Sequence, residues 1–187
     1  MAIQPQKKDG VSRIHMDDPL AVVIFSQAMT DFFLSYPKKD KPIIICIGTD
    51  RSTGDSLGPL TGWRLLSLLD GMGIEIYGTV ENPVHATNLA EHLTLLEQKT
   101  ATHPIIAVDA CLGQISSVGT ILLEQAPLKP GAGLKKMLPG VGDFSISGVV
   151  NVGGFMEFQV LQNTRLNTVL KMAQIIANSI YLSINRR

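Results

Sequence analysis

Cysteine is too scarce in this chain to staple it. There are two in 187 residues, Cys46 and Cys111, which excludes the disulfide framework of a small secreted domain and favours a reducing, cytoplasmic interior. An excess of either charge is also missing. Sixteen Lys and Arg balance sixteen Asp and Glu, so the bulk composition offers no basic surface for nucleic acid or for an anionic membrane. No apolar run is unbroken enough to cross a bilayer: residues 166–184 are interrupted by Asn167, Lys171, Gln174 and Asn178 and read as a core helix. The N-terminal lysines are followed by no apolar segment of the secretory kind. Function has to come from local sites.

Common site signatures are lacking too. A phosphate-cradling loop needs Gly, four residues, Gly, then Lys and Ser or Thr, whereas here Gly54 is followed by Asp55, whose charge repels phosphate. Gly48, Gly54 and Gly58 are too far apart for a dinucleotide fingerprint, and no G-x-S-x-G nucleophile elbow occurs.

What is present is a hydrophobic content of 45% and a mean hydropathy of +0.21, the composition of a compact globule with a substantial core. Residues 1–16 read as a flexible polar leader, and residues 17–187 as a single domain. The most informative stretch is residues 42–60. Pro42 opens an apolar run from Ile43 to Ile47, a strand covered on both faces. Gly48 ends it. The polar loop over 49–56 then leads into a helix with Pro59 in its first turn, Leu57, Leu60, Trp63, Leu66 and Leu69 as its apolar stripe, and Gly71 past its end.

The remaining elements follow the same logic. A first helix starts at Asp17-Asp18-Pro19, carries Leu20, Val23, Ile24, Phe32 and Phe33, and stops at Tyr36-Pro37. A second strand covers residues 74–80, and a helix over about 87–98 opens with Asn88 and Glu91 in capping-box spacing. Pro104 introduces a third strand ending at Asp109. Residues 119–125 and 145–152 give two more, and Gly153-Gly154 turns the chain into the last helix. Alternation of strand and helix over the central part predicts right-handed parallel crossovers, and so a three-layer α/β/α sandwich with a mixed, mostly parallel, five-stranded sheet. With the first strand between the second and third, a topological switch point falls between strands one and three, where Asp55 and Asp109 face each other.

Two aspartates brought together at a sheet edge do not both ionise cheaply, so they share a proton, one acting as base and the other as acid. That suits activation of water against a carbonyl. The alternative is that Asp55 caps the following helix and Asp109 ends a strand, and spacing alone leaves the two even. A divalent metal held by Asp55 and Asp109 stays open as a variant, although no H-E-x-x-H or Cys/His cluster accompanies them. His85 and His92, seven residues apart, would share a side of the helix over 87–98 as a metal pair if it began early; the better reading is a loop histidine and a half-exposed helical one. Cys111 reads as a small buried hydrophobe.

Taken together, GTDRSTGDSLGP (residues 48–59), AVDACLG (107–113) and KPGAGLKK (129–136) resemble the YyaC family of sporulation proteins of spore-forming Firmicutes. More distantly they are similar to the germination protease that degrades small acid-soluble spore proteins, and to hydrogenase maturation endopeptidases. The resemblance implies a phosphorylase/hydrolase-like fold and an endopeptidase of sporulating cells, with a protein or peptide substrate such as the small spore proteins. It assigns the acid of the D-x-L-G-P motif, Asp55, and the acid of the V-D-A strand, Asp109, as the catalytic pair. Asp50, Arg51 and Ser52 would shape the substrate loop, and Lys129, Gly131 and Gly133 would line the cleft. In the maturation endopeptidases the equivalent carboxylates help bind the nickel of the substrate. Lys129 stands where the germination protease has histidine, and the chain is much shorter than that protease; a non-catalytic relative binding a peptide or partner protein is therefore the second reading. Neither charge nor the apolar last helix opposes a homodimer.

Overall fold

Continuous β-branched runs are stable in the middle of a sheet, where both faces meet helices, and the structure is built outward from such a run. The protein is described by a computed structural model covering residues 6–8, 11–38, 40–130 and 140–186. In chain order the elements are β1 (Gln6–Lys8), β2 (Val11–His15), α1 (Ala21–Ser35), β3 (Ile43–Cys46), α2 (Leu57–Leu68), β4 (Ile76–Tyr77), α3 (Leu89–Glu97), β5 (Ile105–Gly113), β6 (Thr120–Glu124), β7 (Phe144–Val152), α4 (Glu157–Gln162) and α5 (Leu166–Asn185). They form one sheet in the order β1-β2-β6-β7-β5-β3-β4. β4, β3, β5 and β7 are parallel neighbours, while β6, β2 and β1 continue the sheet antiparallel.

Alternation along the strands divides the core in two. Ile44 and Cys46 of β3, Ile106 and Val108 of β5, and Phe144 and Ile146 of β7 join α1, α2 and α5 on one face. Ile43, Ile45, Ile105 and Ala107 meet Leu89 and Leu96 of α3 on the other. The three-layer α/β/α architecture is as expected. The sheet, however, has seven strands and not five, because residues assigned to a polar leader supply β1 and β2. Over residues 12–15 of β2, Ser12 and Ile14 are buried and Arg13 and His15 exposed. Backbone pairing with β6 holds this strand at the sheet, so its apolar period is too short to show in sequence.

Helix α2 buries a different stripe from the one expected. Leu57, Leu65 and Leu69 are inside, whereas Trp63 and Leu66 are half exposed. Small residues set its approach to the sheet: a Cβ on Gly58 would overlap the Ile47 carbonyl, and one on Gly62 the Gly78 carbonyl. The second strand is shorter than expected. Gly78 has φ +83° and lies against the Cys46 carbonyl, so the chain turns there instead of continuing as a strand. The turn at Gly153-Gly154 leads first into α4, a helix too short to give a period, and only then into α5.

Asp143 locks the other end of the parallel strands. Its Oδ1 accepts from the Tyr36 hydroxyl (2.7 Å) and Lys38 Nζ (2.9 Å), and its Oδ2 accepts from Lys38 Nζ (2.8 Å) and the Ile105 N–H (2.8 Å). Burial and the neighbouring carboxylate push the Tyr36 phenol up to about 12. Asp143→Ala leaves a half-buried lysine and a backbone N–H without their acceptor. It is expected to cost about 3 kcal/mol, or roughly 6–12 °C in Tm for a chain of this size, measurable by thermal unfolding at neutral pH.

Candidate active site

The strand order β5-β3-β4 reverses direction at β3. α2 carries the chain to β4 across one face and α3 carries it back to β5 across the other, so a crevice opens beyond the carboxyl ends of β3 and β5. The loop after β3 folds down onto this end. Ile47 donates its N–H to the Val108 carbonyl (2.7 Å), Gly48 to the Val84 carbonyl (2.8 Å), and Thr49 to the Asp55 carbonyl (3.1 Å). Gly48, at φ +142°, lies so close to the Asp55 carbonyl that a Cβ there would overlap it. From the far side, Gly54 lies against Leu161 and Thr164, and Asn151 of β7 donates to the Thr164 hydroxyl (3.2 Å). A 3₁₀ turn over Gly54–Ser56 thereby fixes Asp55 in the crevice.

Asp109 comes from β5, opposite Ser147 of β7, and is 8% exposed. Its Oδ1 accepts the Ala110 N–H at 2.7 Å. Burial, and then the charge of Asp55, hold its carboxyl well above the usual range, with the Ala110 N–H working against them. Burial raises Asp55 as well, opposed by the nearby His85 imidazole and the Thr49 N–H. The two acids are therefore close enough to act on one another, and buried enough that two negative charges are costly.

The helix-cap alternative does not describe them. The N-cap of α2 is Ser56, which makes no side-chain capping bond, and β5 runs on past Asp109 to Gly113. Asp50 and Arg51 are exposed on the loop, and the Arg51 N–H donates to the Thr49 hydroxyl (3.3 Å). Ser52 is buried, and its hydroxyl has no partner among the described residues. Lys129 is exposed, and Leu128 before it bridges Val141, ahead of the start of β7, whereas Asp109 pairs with Ser147 within β7, six residues further along the chain. Gly131 and Gly133 lie outside the described residues. The Cys111 thiol is pushed up to about 11, chiefly by burial, which keeps it protonated and unreactive at neutral pH.

His85 is the residue that spacing did not single out. Val84 forms a parallel bridge with Ile47, which extends β3 and carries His85 to the Asp55 loop. Asn88 and Glu91 make no capping box. The Asn88 side chain instead accepts the His85 N–H (2.8 Å) and donates to the Pro83 carbonyl (3.0 Å). A long-range bridge of this kind leaves no mark in the local pattern; the P-V-H-x-x-N spacing was the available signal. His92 instead packs edge-on against Tyr77. Among the described residues, no group of three or more His, Cys, Asp or Glu side chains is arranged to hold a metal ion.

A mixed sheet with helices on both faces and two carboxyls at its switch point makes this a three-layer α/β/α protein. The crystal structure of the NiFe hydrogenase maturation protease HycI from Thermococcus kodakarensis KOD1 has the same fold, with a TM-score of 0.55 at 16% identity, over 84% of this chain and 98% of that one. The chain belongs to the family described as "Protein of unknown function (DUF1256)", whose model matches residues 13–179, and with it the YyaC family. It is 51% identical over 144 residues to the uncharacterized protein YyaC of Bacillus subtilis (strain 168), an alignment covering 76% of this chain and 70% of that protein. No helix among the described residues is long and apolar enough to cross a membrane.

Proposed function

We propose that this protein is an endopeptidase of the sporulating cell, acting in the cytoplasm or forespore on small spore proteins, with Asp55 and Asp109 as its water-activating pair. The observation that carries this reading is the burial of Asp109 beside Asp55 at the switch point, an arrangement that keeps one proton on two carboxyls. Likeness to the germination protease supplies the substrate class.

The less buried Asp55 is the carboxylate and Asp109 the acid. Asp55 takes a proton from a water molecule as its oxygen attacks the scissile carbonyl carbon, and Asp109 gives its proton to the carbonyl oxygen. When the tetrahedral intermediate collapses, the C–N bond breaks and the proton on Asp55 goes to the leaving amine. Its hydroxyl proton returns to Asp109, so both acids end as they began. Asp50, Arg51 and Ser52 form the rim over which the peptide enters. This cycle needs one carboxyl charged and the other neutral, so kcat/KM for spore-protein cleavage is expected to be bell-shaped in pH, with the basic limb set by loss of the Asp109 proton. A rate that climbs steadily through neutral pH to pH 10 would count against the pair.

The second reading, a non-catalytic protein that binds a peptide in the same crevice, draws on the position of Lys129 away from the acids. It predicts binding without products.

A further inference from the structure

The two faces of β7 differ in kind. Phe144, Ile146 and Val150 point into the core with α1, α2 and α5, and Gly148 leaves room there for Leu57 and Met172. Side chains alternate along a strand, so Ser145 and Ser147 lie on the opposite face. On β3 and β5 that face is apolar, with Ile43, Ile45, Ile105 and Ala107 packed under α3, until Asp109 interrupts it. Asp109 and Ser147 are partners in the parallel register, so their side chains rise on one face from adjacent strands about 5 Å apart. β7 is an interior strand: β5 holds it on one side, and Leu122 of β6 pairs with Ser147 on the other. The Ser147 backbone is thus fixed, but its hydroxyl is uncommitted. It makes no hydrogen bond among the described residues, and its oxygen is not sealed from solvent as those of Ser12 and Ser52 are. Ser145, one pair deeper and opposite Ala107, is 3% exposed and too enclosed to meet a substrate.

We propose that Ser147 is a further catalytic residue, whose hydroxyl donates to the oxygen of the scissile carbonyl beside Asp109. The proposal rests on the use of the acid pair for hydrolysis. The strand order β7-β5-β3 places Ser147 on one flank of Asp109 and the loop after β3, with Asp55, on the other. Water activated by Asp55 therefore comes from the β3 side, and the carbonyl oxygen that takes the Asp109 proton lies toward β7. Oδ1 of Asp109 already accepts the Ala110 N–H, so the proton is carried on Oδ2. An oxygen placed between side chains on strands about 5 Å apart can accept from both at ordinary hydrogen-bond lengths. Charge grows on that oxygen as water adds to the carbonyl carbon, and a donor already fixed in place stabilises it without reorganising. Ser147 keeps its own proton throughout, so the proton balance of the hydrolytic cycle is unchanged. The same contact orients the peptide, with its scissile carbonyl turned toward β7.

The test compares Ser147→Ala and Ser147→Thr with the wild type and Asp109→Asn. The substrate is a small spore protein, and the probe is a peptide difluoroketone built on its cleavage site, whose hydrate copies the tetrahedral intermediate. Because the hydroxyl has no partner to lose, Ser147→Ala is expected to fold with an unchanged Tm. Its kcat should fall by roughly 10²-fold with KM little changed, as loss of one oxyanion donor does. Its affinity for the difluoroketone should fall by a similar factor, because the hydroxyl acts on the intermediate more than on bound substrate. Ser147→Thr keeps a hydroxyl on a strand, where β-branched residues are favoured, and is expected to recover most of both losses. Full kcat in Ser147→Ala, a loss seen in KM alone, or a loss that threonine does not recover overturns the role of Ser147, and an inactive Asp109→Asn then leaves the acid pair standing. A wild type that cleaves none of the spore proteins overturns both.

Discussion

Asp109→Asn is expected to reduce cleavage by roughly 10³-fold while making the protein more stable at neutral pH. Both effects come from one fact: the carboxyl is buried and held well above its usual range. The sign follows from linkage. Below about pH 4 the side chain is protonated in folded and unfolded chains alike and costs nothing. As pH rises above that, the unfolded chain releases the proton and the folded one keeps it, so the unfolded state gains and stability falls until pH passes the folded-state value. Asparagine has no such proton to hold. Its Oδ1 can still accept the Ala110 N–H, and its amide replaces the acid O–H. The gain at pH 7 is expected to be about 1 kcal/mol, or roughly 2–4 °C in Tm, and to vanish at pH 3. Thermal unfolding at both pH values measures it. Equal Tm values at pH 7, or a loss, would show that the acid is not carried at a cost.

Gly48→Ala should do the opposite, with the largest destabilisation predicted here. A side chain at φ +142° is strained by about 1–3 kcal/mol, and its Cβ would overlap the Asp55 carbonyl, adding about 1–3 kcal/mol of overpacking. The sum, roughly 2–6 kcal/mol, is on the order of 10 °C in Tm. Any folded fraction should also have lost the Thr49–Asp55 hydrogen bond that seats the loop. Gly71→Ala is the control. Gly71 has φ +72° but nothing within 4 Å of its Cβ position, so it should cost only about 1–2 kcal/mol. Comparable losses for the two variants would mean that backbone strain alone matters and that the close approach of the loop does not.

The parts of this molecule legible in sequence are those whose signal is local. β3 and β5 each show an entering proline and an unbroken apolar run, and the acid that follows each run points to the crevice. Other features depend on contacts between distant residues. β2 is held by pairing with β6 and carries little apolar pattern of its own. The buried face of α2 is defined by Gly58, Thr61 and Gly62, whose small size matters only because β3 and the Gly78 turn lie beneath them. Asn88 had the spacing of a helix cap, yet its side chain is used on the preceding loop. His85 was passed over for the same reason: its place beside Asp55 is set by the bridge from Val84 to Ile47, between positions 37 residues apart.

The central claim is that the two acids together hydrolyse peptide bonds. It is tested most directly by incubating purified wild type, Asp55→Asn and Asp109→Asn side by side with a panel of small spore proteins and resolving the products by mass spectrometry. Discrete internal cleavage by the wild type is expected, with products near the blank for both variants, each folded by circular dichroism. Equal cleavage by all three proteins, or intact substrates throughout with stable binding to the wild type, would contradict it.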